Sequence, residues 1–477
     1  MMRRYGLVAG PLLAVLLYLW IPEGVQDPAG GELQLGTAGR MTGALVGWMA
    51  IWWMTEAIPI FVTALLPVMV LPLTGTQDFL DTTAVYAHPL IFLALGGFVL
   101  ALALERWDLH RRFAAFVLRI VGSGPRRLVG GFMIVGAALS MWISNTAASV
   151  IMLPIALSII AADNQTADCH PRFRMCLLLG TAYACSIGGM GTLIGTGTNV
   201  FLASFLESEL QRDISFAAWM CLGVPLVLVF LPLAWLLLTR IIFRLPAVAD
   251  TDPRLLLPET GPWSTGEKRT FAVFCLAVAG WVGLPLLVKL PFFGNLSDPG
   301  VAMLCMFLLF LIPDGRGEGG TLMDWDTAVK LPWGVLLLLG GGLALAGAID
   351  DSGLGATLAL HSTRLQGVPP VLVVVFAVVL MTFLTELTSN LASTATLVPV
   401  FAAMAGGMGI DPLAISIPTA LAASCAFMLP AATPPNSIVF GSGMLRIPDM
   451  VRAGIWMNTL GIVVLTLLVY PLVGMLF

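Results

Sequence analysis

Residues 140–146 read Ser-Met-Trp-Ile-Ser-Asn-Thr, and residues 385–391 read Thr-Glu-Leu-Thr-Ser-Asn-Leu. These related stretches lie about 245 residues apart, and each interrupts a long apolar run, 128–161 in the first case and 369–405 in the second. A bilayer crossing needs about 20 apolar residues, so either run is too long for one straight helix. We therefore expect two re-entrant helical hairpins, each with its polar stretch at the turn.

Two further pairs of motifs keep the same order along the chain. The run from Ile91 to Gly97 resembles Leu336 to Gly341, and the polar break Gly-Thr-Gly-Thr-Asn at 195–199 is related to Ala-Thr-Pro-Pro-Asn at 432–436. The two halves are therefore an internal repeat, with a broken helix after each hairpin. Repeated halves with broken helices are typical of transporters, which hold substrate and ions near the midplane where the repeats meet.

The composition indicates a membrane protein. Of the 477 residues, 58% are hydrophobic and 10% are charged, and the mean hydropathy is +0.95. Soluble domains carry roughly 25% charged residues, so lipid must be the main solvent of this chain. The sequence has no basic stripe to suggest nucleic acid as a partner, and it lacks the motifs of zinc enzymes, serine hydrolases and phosphate-binding loops. We expect no enzymatic activity.

The positive charges predict the orientation in the membrane. If both hairpins turn back, about eleven transmembrane helices remain, and 19 of the 23 Lys and Arg residues fall on one side. The positive-inside rule makes that side cytoplasmic. We expect a multi-pass protein of the cell (inner) membrane with its N-terminus in the cytoplasm and its C-terminus outside. The two hairpins then open from opposite sides, so the repeats are inverted.

Two segments lie at the edges of this topology. Met1–Trp20 has two arginines before an apolar run but no small-residue cleavage site after it, so we expect a retained first helix. The segment 106–127 is rich in Arg and predicts an amphipathic interfacial helix on the cytoplasmic surface, with 350–366 as its repeat mate outside.

The polar stretches contain no fixed positive charge. An anion taken into the bilayer must therefore exchange its hydration for hydroxyls, carboxamides, backbone N–H groups and helix N-termini. None of the four segments that contain these stretches, 128–161, 180–206, 369–405 and 413–445, has a Lys or Arg residue.

Hydroxyl and carboxamide oxygens recur in these stretches at one spacing. Ser140, Ser144 and Asn145 lie on one face beside the break at 195–199, and sodium prefers such hard oxygens together with carbonyls freed where a helix unwinds. The second copy consists of Thr385, Ser389 and Asn390 beside the break at 432–436. We therefore predict two pseudosymmetric cation sites that flank one anion site.

Electrostatic energy favours cation coupling. Each charge moved across 100 mV is worth about 2.3 kcal/mol, so two cations cancel the cost of importing a dianion. Ser, Thr and Asn in membrane helices also serve as interhelical glue, but four matched clusters at breaks favour function over that role. For the two acids Glu56 and Glu386 we favour a structural role in capping or anchoring helices over a functional one.

At these residues the sequence resembles the divalent anion:sodium symporter family, also called solute carrier family 13. The resemblance spans nearly the whole chain. It includes Trp-Met-Thr-Glu-Ala-Ile-Pro at 53–59 and the hairpin tips Ser-Asn-Thr at 144–146 and Ser-Asn at 389–390, as well as the break at 432–436. The resemblance implies a homodimer in which a mobile transport domain moves against a scaffold as an elevator. It also implies sodium as the coupling ion and a small divalent anion as substrate.

The resemblance also implies site residues. The substrate would contact Asn145, Thr146, Thr196, Asn390, Leu391, Thr433 and Pro434. Sodium would be bound by Ser140, Ser144, Asn145, Gly195, Thr385, Thr388, Asn390 and Ala432.

The expected domains alternate along the chain. Scaffold helices 1–4 and the interfacial helix occupy 1–127, and a cytoplasmic linker, further scaffold helices and the second interfacial helix occupy 241–368. The transport domain is formed by a hairpin and broken helix at 128–240, and by a second hairpin, broken helix and last helix at 369–477.

Two departures from the family pattern affect the substrate. Leu391 stands where a full second motif has Thr, and Gly197-Thr198 stands where prolines are common. Loss of a hydroxyl disfavours a heavily solvated anion, so we expect a C4-dicarboxylate such as succinate, malate or fumarate. The alternatives are citrate or sulfate as substrate, a sodium-independent dicarboxylate exchanger of the same fold and, more distantly, a membrane-embedded enzyme or receptor.

Overall fold

The computed structural model describes residues 2–26, 32–121, 124–163, 171–246, 261–317 and 319–477. Within these ranges the chain is almost entirely helical, as the sequence predicts. The first half contains α1 (Met2–Trp20), α2 (Gly36–Thr55), α3 (Ile60–Thr63), α4 (Leu66–Leu73), α5 (Phe79–Ala84), α6 (Pro89–Arg106), α7 (Leu109–Val121), α8 (Pro125–Ser140), α9 (Asn145–Asp163), α10 (Pro171–Gly189), α11 (Gly197–Leu210) and α12 (Phe216–Leu236).

The second half contains α13 (Thr265–Leu287), α14 (Asp298–Leu311), α15 (Trp325–Ala328), α16 (Trp333–Asp351), α17 (Leu354–Ser362), α18 (Pro370–Leu384), α19 (Asn390–Met408), α20 (Pro412–Ala422), α21 (Pro434–Gly441), α22 (Ile447–Val464) and α23 (Tyr470–Leu476). In this half, α16–α22 repeat the order of α6–α12. Besides a single bridge between Pro313 and Thr321, the described residues form extended pairing only between β1 (Gly24–Gln26) and β2 (Glu32–Gln34), which are antiparallel.

Both predicted hairpins are present as helix pairs joined by short polar turns. Helices α8 and α18 have 16 and 15 residues, fewer than the roughly 20 that a full crossing needs. Their partners α9 and α19 have 19 residues each and carry a proline at the same place, Pro154 and Pro399. The repeat extends to the ends of α12 and α22, which both continue into π-helices, at Leu237–Ile242 and Leu465–Val469.

The two repeats exchange contacts at the centre of the molecule. The second hairpin helix of each half packs on the short broken helix of the other half, α9 on α21 and α19 on α11. The helices before the breaks cross over in the same way, α10 against α21 and α20 against α11. The polar turns and breaks of both halves are therefore brought to one region.

Helix α1 packs along α2 as an antiparallel pair. Near its start, the Arg3 Nε atom donates a hydrogen bond to the Ala57 carbonyl at 3.1 Å. Near its end, the Tyr18 carbonyl accepts a hydrogen bond from Arg40 at 2.9 Å.

Six helical segments of the described chain are long and apolar enough to cross a membrane. They are Phe79–Arg106, Phe216–Ile242, Thr265–Leu287, Trp333–Asp351, Asn390–Met408 and Ile447–Leu476. Many large apolar side chains are exposed, among them Phe271, Val282 and Leu286 on α13, as expected for a surface in contact with lipid. The number of full crossings remains a prediction.

Glycines allow two pairs of helices to approach closely at equivalent places in the repeats. A Cβ atom on Gly96 of α6 would lie 2.8 Å from the backbone of Ala302 in α14. A Cβ atom on Gly341 of α16 would lie 2.1 Å from the carbonyl oxygen of Ala64, next to α4. The Gly-Gly motif in each half therefore packs against backbone atoms, which cannot move aside as a flexible side chain can.

We expect Gly341→Ala to lower the free energy of unfolding by about 1–3 kcal/mol, because the added methyl group overlaps the backbone of Ala64. Thermal unfolding of the purified protein in detergent measures the effect. The matched control is Gly406→Ala in α19, where no atom lies within 4 Å of the added Cβ and alanine improves helix propensity. Equal melting temperatures for the two variants would contradict this account of the packing.

Candidate functional site

The first hairpin turn is closed by its own side chains. Ser140 is the last residue of α8 and is completely buried, and its hydroxyl donates a hydrogen bond to Oδ1 of Asn145, the first residue of α9. The Ser144 hydroxyl caps α9 by accepting from the Ala147 N–H at 3.1 Å. Three side-chain oxygens thus gather within one turn of chain.

The second hairpin turn reproduces this bond. The Thr385 hydroxyl donates to Oδ1 of Asn390 at 2.7 Å, with the same spacing of five residues. It also lies 3.1 Å from the Ala423 carbonyl, which ties the turn to the end of α20. The Thr388 hydroxyl forms hydrogen bonds within the same hairpin, with the Leu384 carbonyl at 3.1 Å and with the Ser393 hydroxyl.

An asparagine clamps each broken helix across its break. Asn199 is the third residue of α11, and its Nδ2 group donates to the carbonyls of Gly189 at 2.9 Å and Thr192 at 2.8 Å. Asn436 is the third residue of α21 and donates to the carbonyls of Ala426 and Leu429. The distances there are 3.2 and 3.0 Å. Both side chains are completely buried, so they fix the unwound carbonyls beside the hairpin turns.

The role of these two asparagines was not found from the sequence, although both belong to the motifs quoted above. The available signal was their common position, third after the break in both halves. From that position alone one cannot predict that each side-chain amide bonds the carbonyls of residues seven and ten positions earlier.

Glu386 makes the two turns unequal. Its carboxylate accepts hydrogen bonds from the N–H groups of Phe427, Met428 and Leu429 at 2.8, 2.9 and 3.0 Å, and from Asn458 Nδ2 at 2.8 Å. It therefore anchors the loop after α20. This contact agrees with the structural role that we favour for Glu386.

In the first repeat the corresponding tie is made differently, because the Thr192 hydroxyl donates to the Met141 carbonyl at 2.5 Å. Glu56, the other acid of this kind, is exposed and ends α2 in the left-handed conformation at φ 46°.

The predicted site residues fall into two groups by exposure. Most of the predicted sodium ligands are buried, namely Ser140, Gly195, Thr385, Thr388 and Ala432. Most of the predicted substrate contacts are half-buried or exposed, namely Asn145, Thr146, Thr196, Asn390 and Pro434. Thr196 and Thr433 occupy the N-cap positions of α11 and α21, and Thr433 is the buried exception together with Leu391.

The two departures from the family pattern touch each other. A Cβ atom on Gly197 would lie 3.1 Å from Cδ2 of Leu391 and 3.3 Å from Cγ1 of Val335. A larger residue at position 197 would therefore press on Leu391. The leucine in the second motif and the glycine in the first break form one matched contact between the repeats.

Comparison with known proteins finds one matching family model and several similar curated proteins. A family model described as "Sodium:sulfate symporter transmembrane region" matches residues 15–476. Two similar curated proteins are both named "Sodium-dependent dicarboxylate transporter SdcS". The protein from Staphylococcus saprophyticus is 42% identical, over 98% of this chain and 91% of its own length. The protein from Staphylococcus aureus is 40% identical, over 98% of this chain and 90% of its own length.

Two solved structures share the fold at low sequence identity. The Alcanivorax borkumensis YdaH transporter aligns with a TM-score of 0.59 and 16% identity over 99% of this chain and 97% of its own. Neisseria gonorrhoeae MtrF, described among antimetabolite efflux pumps, aligns with a TM-score of 0.64 and 14% identity over 98% and 95%.

We expect Glu386→Gln to lower the free energy of unfolding by about 1.5–3 kcal/mol, because one charge-assisted acceptor is replaced by an NH₂ group that cannot accept. Thermal unfolding in detergent measures the loss. Glu56→Gln is the control, since that exposed side chain has no hydrogen-bond partner among the described residues, and it should unfold like the parent. If Glu386→Gln unfolds like Glu56→Gln, the carboxylate does not hold the loop.

Proposed function

The chain belongs to the sodium:sulfate symporter family, and we propose that it is a sodium-coupled symporter that carries a C4-dicarboxylate such as succinate, malate or fumarate into the cell. The observation that carries the proposal is the doubled turn, in which Ser140–Asn145 and Thr385–Asn390 form the same hydrogen bond. The relatives that are 40–42% identical are named as sodium-dependent dicarboxylate transporters, which supports both the ion and the substrate class.

One sodium ion in this proposal binds at each hairpin turn. In the first site Ser140, Ser144 and Asn145 supply side-chain oxygens and Gly195 supplies a carbonyl. In the second site Thr385, Thr388 and Asn390 supply the side-chain oxygens and Ala432 supplies the carbonyl. The Ser140–Asn145 and Thr385–Asn390 hydrogen bonds support this assignment, because each holds one hydroxyl and one amide oxygen close enough to share an ion.

The clamping asparagines support the backbone part of the two sites. Asn199 holds the Gly189 carbonyl, and a Cβ atom on Gly195 would lie 2.4 Å from that same oxygen. A Cβ atom on Gly189 would in turn lie 2.5 Å from Oδ1 of Asn145. The break and the turn are therefore in direct contact, and only glycine fits at both positions.

The substrate in this proposal lies between the two turns. Its carboxylates face the amides and hydroxyls of Asn145, Thr146, Thr196, Asn390 and Thr433, with Leu391 and Pro434 as apolar walls. Helices α9, α11 and α19 begin at these residues, and helix N-termini stabilise anions. The bound sodium ions supply the positive charge that no Lys or Arg supplies in these stretches.

The contact between Leu391 and Gly197 favours a small dicarboxylate over citrate or sulfate. It replaces a hydroxyl by an apolar wall and closes the space beside the first break. A substrate with a third carboxylate or a dense hydration shell then lacks a polar partner at this place.

We also propose the arrangement in the membrane. The N-terminus is cytoplasmic and the C-terminus external, and the protein is a homodimer. Segments 1–127 and 241–368 form the scaffold, and segments 128–240 and 369–477 form a transport domain that moves as an elevator. The crossed packing of α9 on α21 and of α19 on α11 supports one transport unit built from both halves.

Uptake of labelled succinate into proteoliposomes tests the function. We expect uptake to require an inward sodium gradient, since two sodium ions neutralise the dianion during transfer. Equal uptake without sodium, driven by internal dicarboxylate, would establish the exchanger instead.

Variants in the same assay test the site. We expect Asn145→Ala and Asn390→Ala each to abolish uptake, because each removes an oxygen that the proposal assigns to both ion and substrate. Ser158→Ala, on the exposed face of α9, serves as the control and should retain uptake. Near-normal uptake by both asparagine variants, at normal melting temperature, would refute the assignment.

We expect Leu391→Thr to increase competition by citrate against succinate uptake by about 10-fold, since it restores a hydroxyl and opens the wall beside Gly197. The inhibition constants of citrate and succinate measure the change. Leu387→Thr, on an exposed leucine in the same turn, is the matched control and should leave the ratio unchanged. An unchanged ratio for Leu391→Thr would remove Leu391 from the selectivity account.

A further inference from the structure

A pocket of about 730 Å³ lies beside the first hairpin turn. Helix α7, the first hairpin and the start of α13 form most of its wall, and Leu104 of α6 and Trp263 complete it. Helix α7 contributes Phe113, Phe116 and Arg119, the hairpin turn contributes Trp142 and Ile143, and α13 contributes Phe274. Its volume is within the range of small-molecule sites, and its wall is largely apolar.

Helix α7 turns an apolar stripe toward this pocket. Phe113, Phe116 and Ile120 recur at helical spacing and are 38%, 64% and 67% exposed. No described residue covers the stripe. The Arg-rich segment that contains α7 is expected at the cytoplasmic surface of the bilayer, where such a stripe lies among lipid chains.

The rim of the pocket carries one positive charge without an ion pair in the described structure. Arg112 is neutralised by Glu267, with its Nε and Nη2 atoms 2.7 and 2.9 Å from the two carboxylate oxygens. Arg111 pairs with Asp108 at 3.1 Å. Among the described residues Arg119 has no ion pair, and its side chain is exposed at the mouth of the pocket.

We propose that this pocket binds an anionic phospholipid, with an acyl chain among the aromatic side chains and the phosphate at Arg119. The combination of an apolar interior and an exposed guanidinium at the mouth matches the two ends of such a lipid. A basic side chain near the membrane surface is worth about 1 kcal/mol of attraction to an anionic headgroup.

The position of the pocket gives the lipid a consequence for the hairpin. Trp142 and Ile143 lie within the turn, between Ser140 and Ser144. In this proposal the acyl chain of the lipid therefore packs against the hairpin turn. The Trp142 ring already contacts Phe274 of α13, with centroids 5.1 Å apart, and Phe216 at 6.3 Å. A bound lipid therefore stabilises the first hairpin in its observed position against α7 and α13. The importance of this stabilisation for transport rests on the proposed function, whereas lipid binding at the pocket does not.

Tryptophan fluorescence of the purified full chain in neutral detergent tests the binding. The probes are phosphatidylglycerol and phosphatidylcholine with brominated acyl chains, which quench tryptophans that they touch. We expect saturable quenching with phosphatidylglycerol bound about fivefold more tightly than phosphatidylcholine, since 1 kcal/mol corresponds to that ratio. Trp142 and Trp263 both line the pocket, so Trp142→Phe should lose part of the quenching that is specific to phosphatidylglycerol.

Two arginine variants on the same helix separate a site from general attraction. Arg119→Gln should remove the preference for phosphatidylglycerol, and Arg111→Gln, outside the pocket wall, should keep it. The proposal is overturned if both lipids quench equally or if Arg119→Gln keeps the preference. It is also overturned if Phe116→Cys forms disulfide-linked dimers that the parent, with its exposed Cys221 and Cys275, does not form. The last result would show that a second copy of the chain occupies this face. None of these readouts depends on transport, so they remain valid if the proposed substrate is wrong.

Discussion

A divalent anion inside a bilayer must recover the stabilisation that water gave it, and this chain has no Lys or Arg in its polar stretches with which to do so. Amides, hydroxyls, helix N-termini and bound sodium ions must then do so together. This constraint explains why the polar residues occur at helix ends, where unpaired backbone groups are available. In our proposal it also explains the coupling, since the bound sodium ions supply the positive charge that the substrate requires.

The hairpin turns and helix breaks of the two halves are pseudosymmetric. The bond from residue 140 to 145 is repeated from 385 to 390, and the asparagine clamp at 199 is repeated at 436. Because the second helix of each hairpin packs on the broken helix of the other half, neither half completes the centre alone. The symmetry is broken at Glu386, whose carboxylate holds a loop that the first repeat ties by a hydroxyl and a carbonyl.

The sequence predicted the helical fold, the hairpin turns and the helix breaks, because polar clusters inside apolar runs are visible along the chain. It also predicted which residues gather at the turns, since a spacing of five residues is local. The contact between Leu391 and Gly197, the reach of Asn199 and Asn436, and the four hydrogen bonds to Glu386 depend on packing between distant segments. No local pattern encodes such partners. The assignment of ions and substrate to particular residues remains a proposal.

Calorimetric titration of the purified protein with succinate, in sodium chloride and in choline chloride, tests the central claim most directly. If bound cations neutralise the substrate, succinate binds with measurable heat in sodium and shows no binding in choline. Equal affinity in the two salts would contradict the account, because the uncharged groups alone would then suffice to hold the dianion.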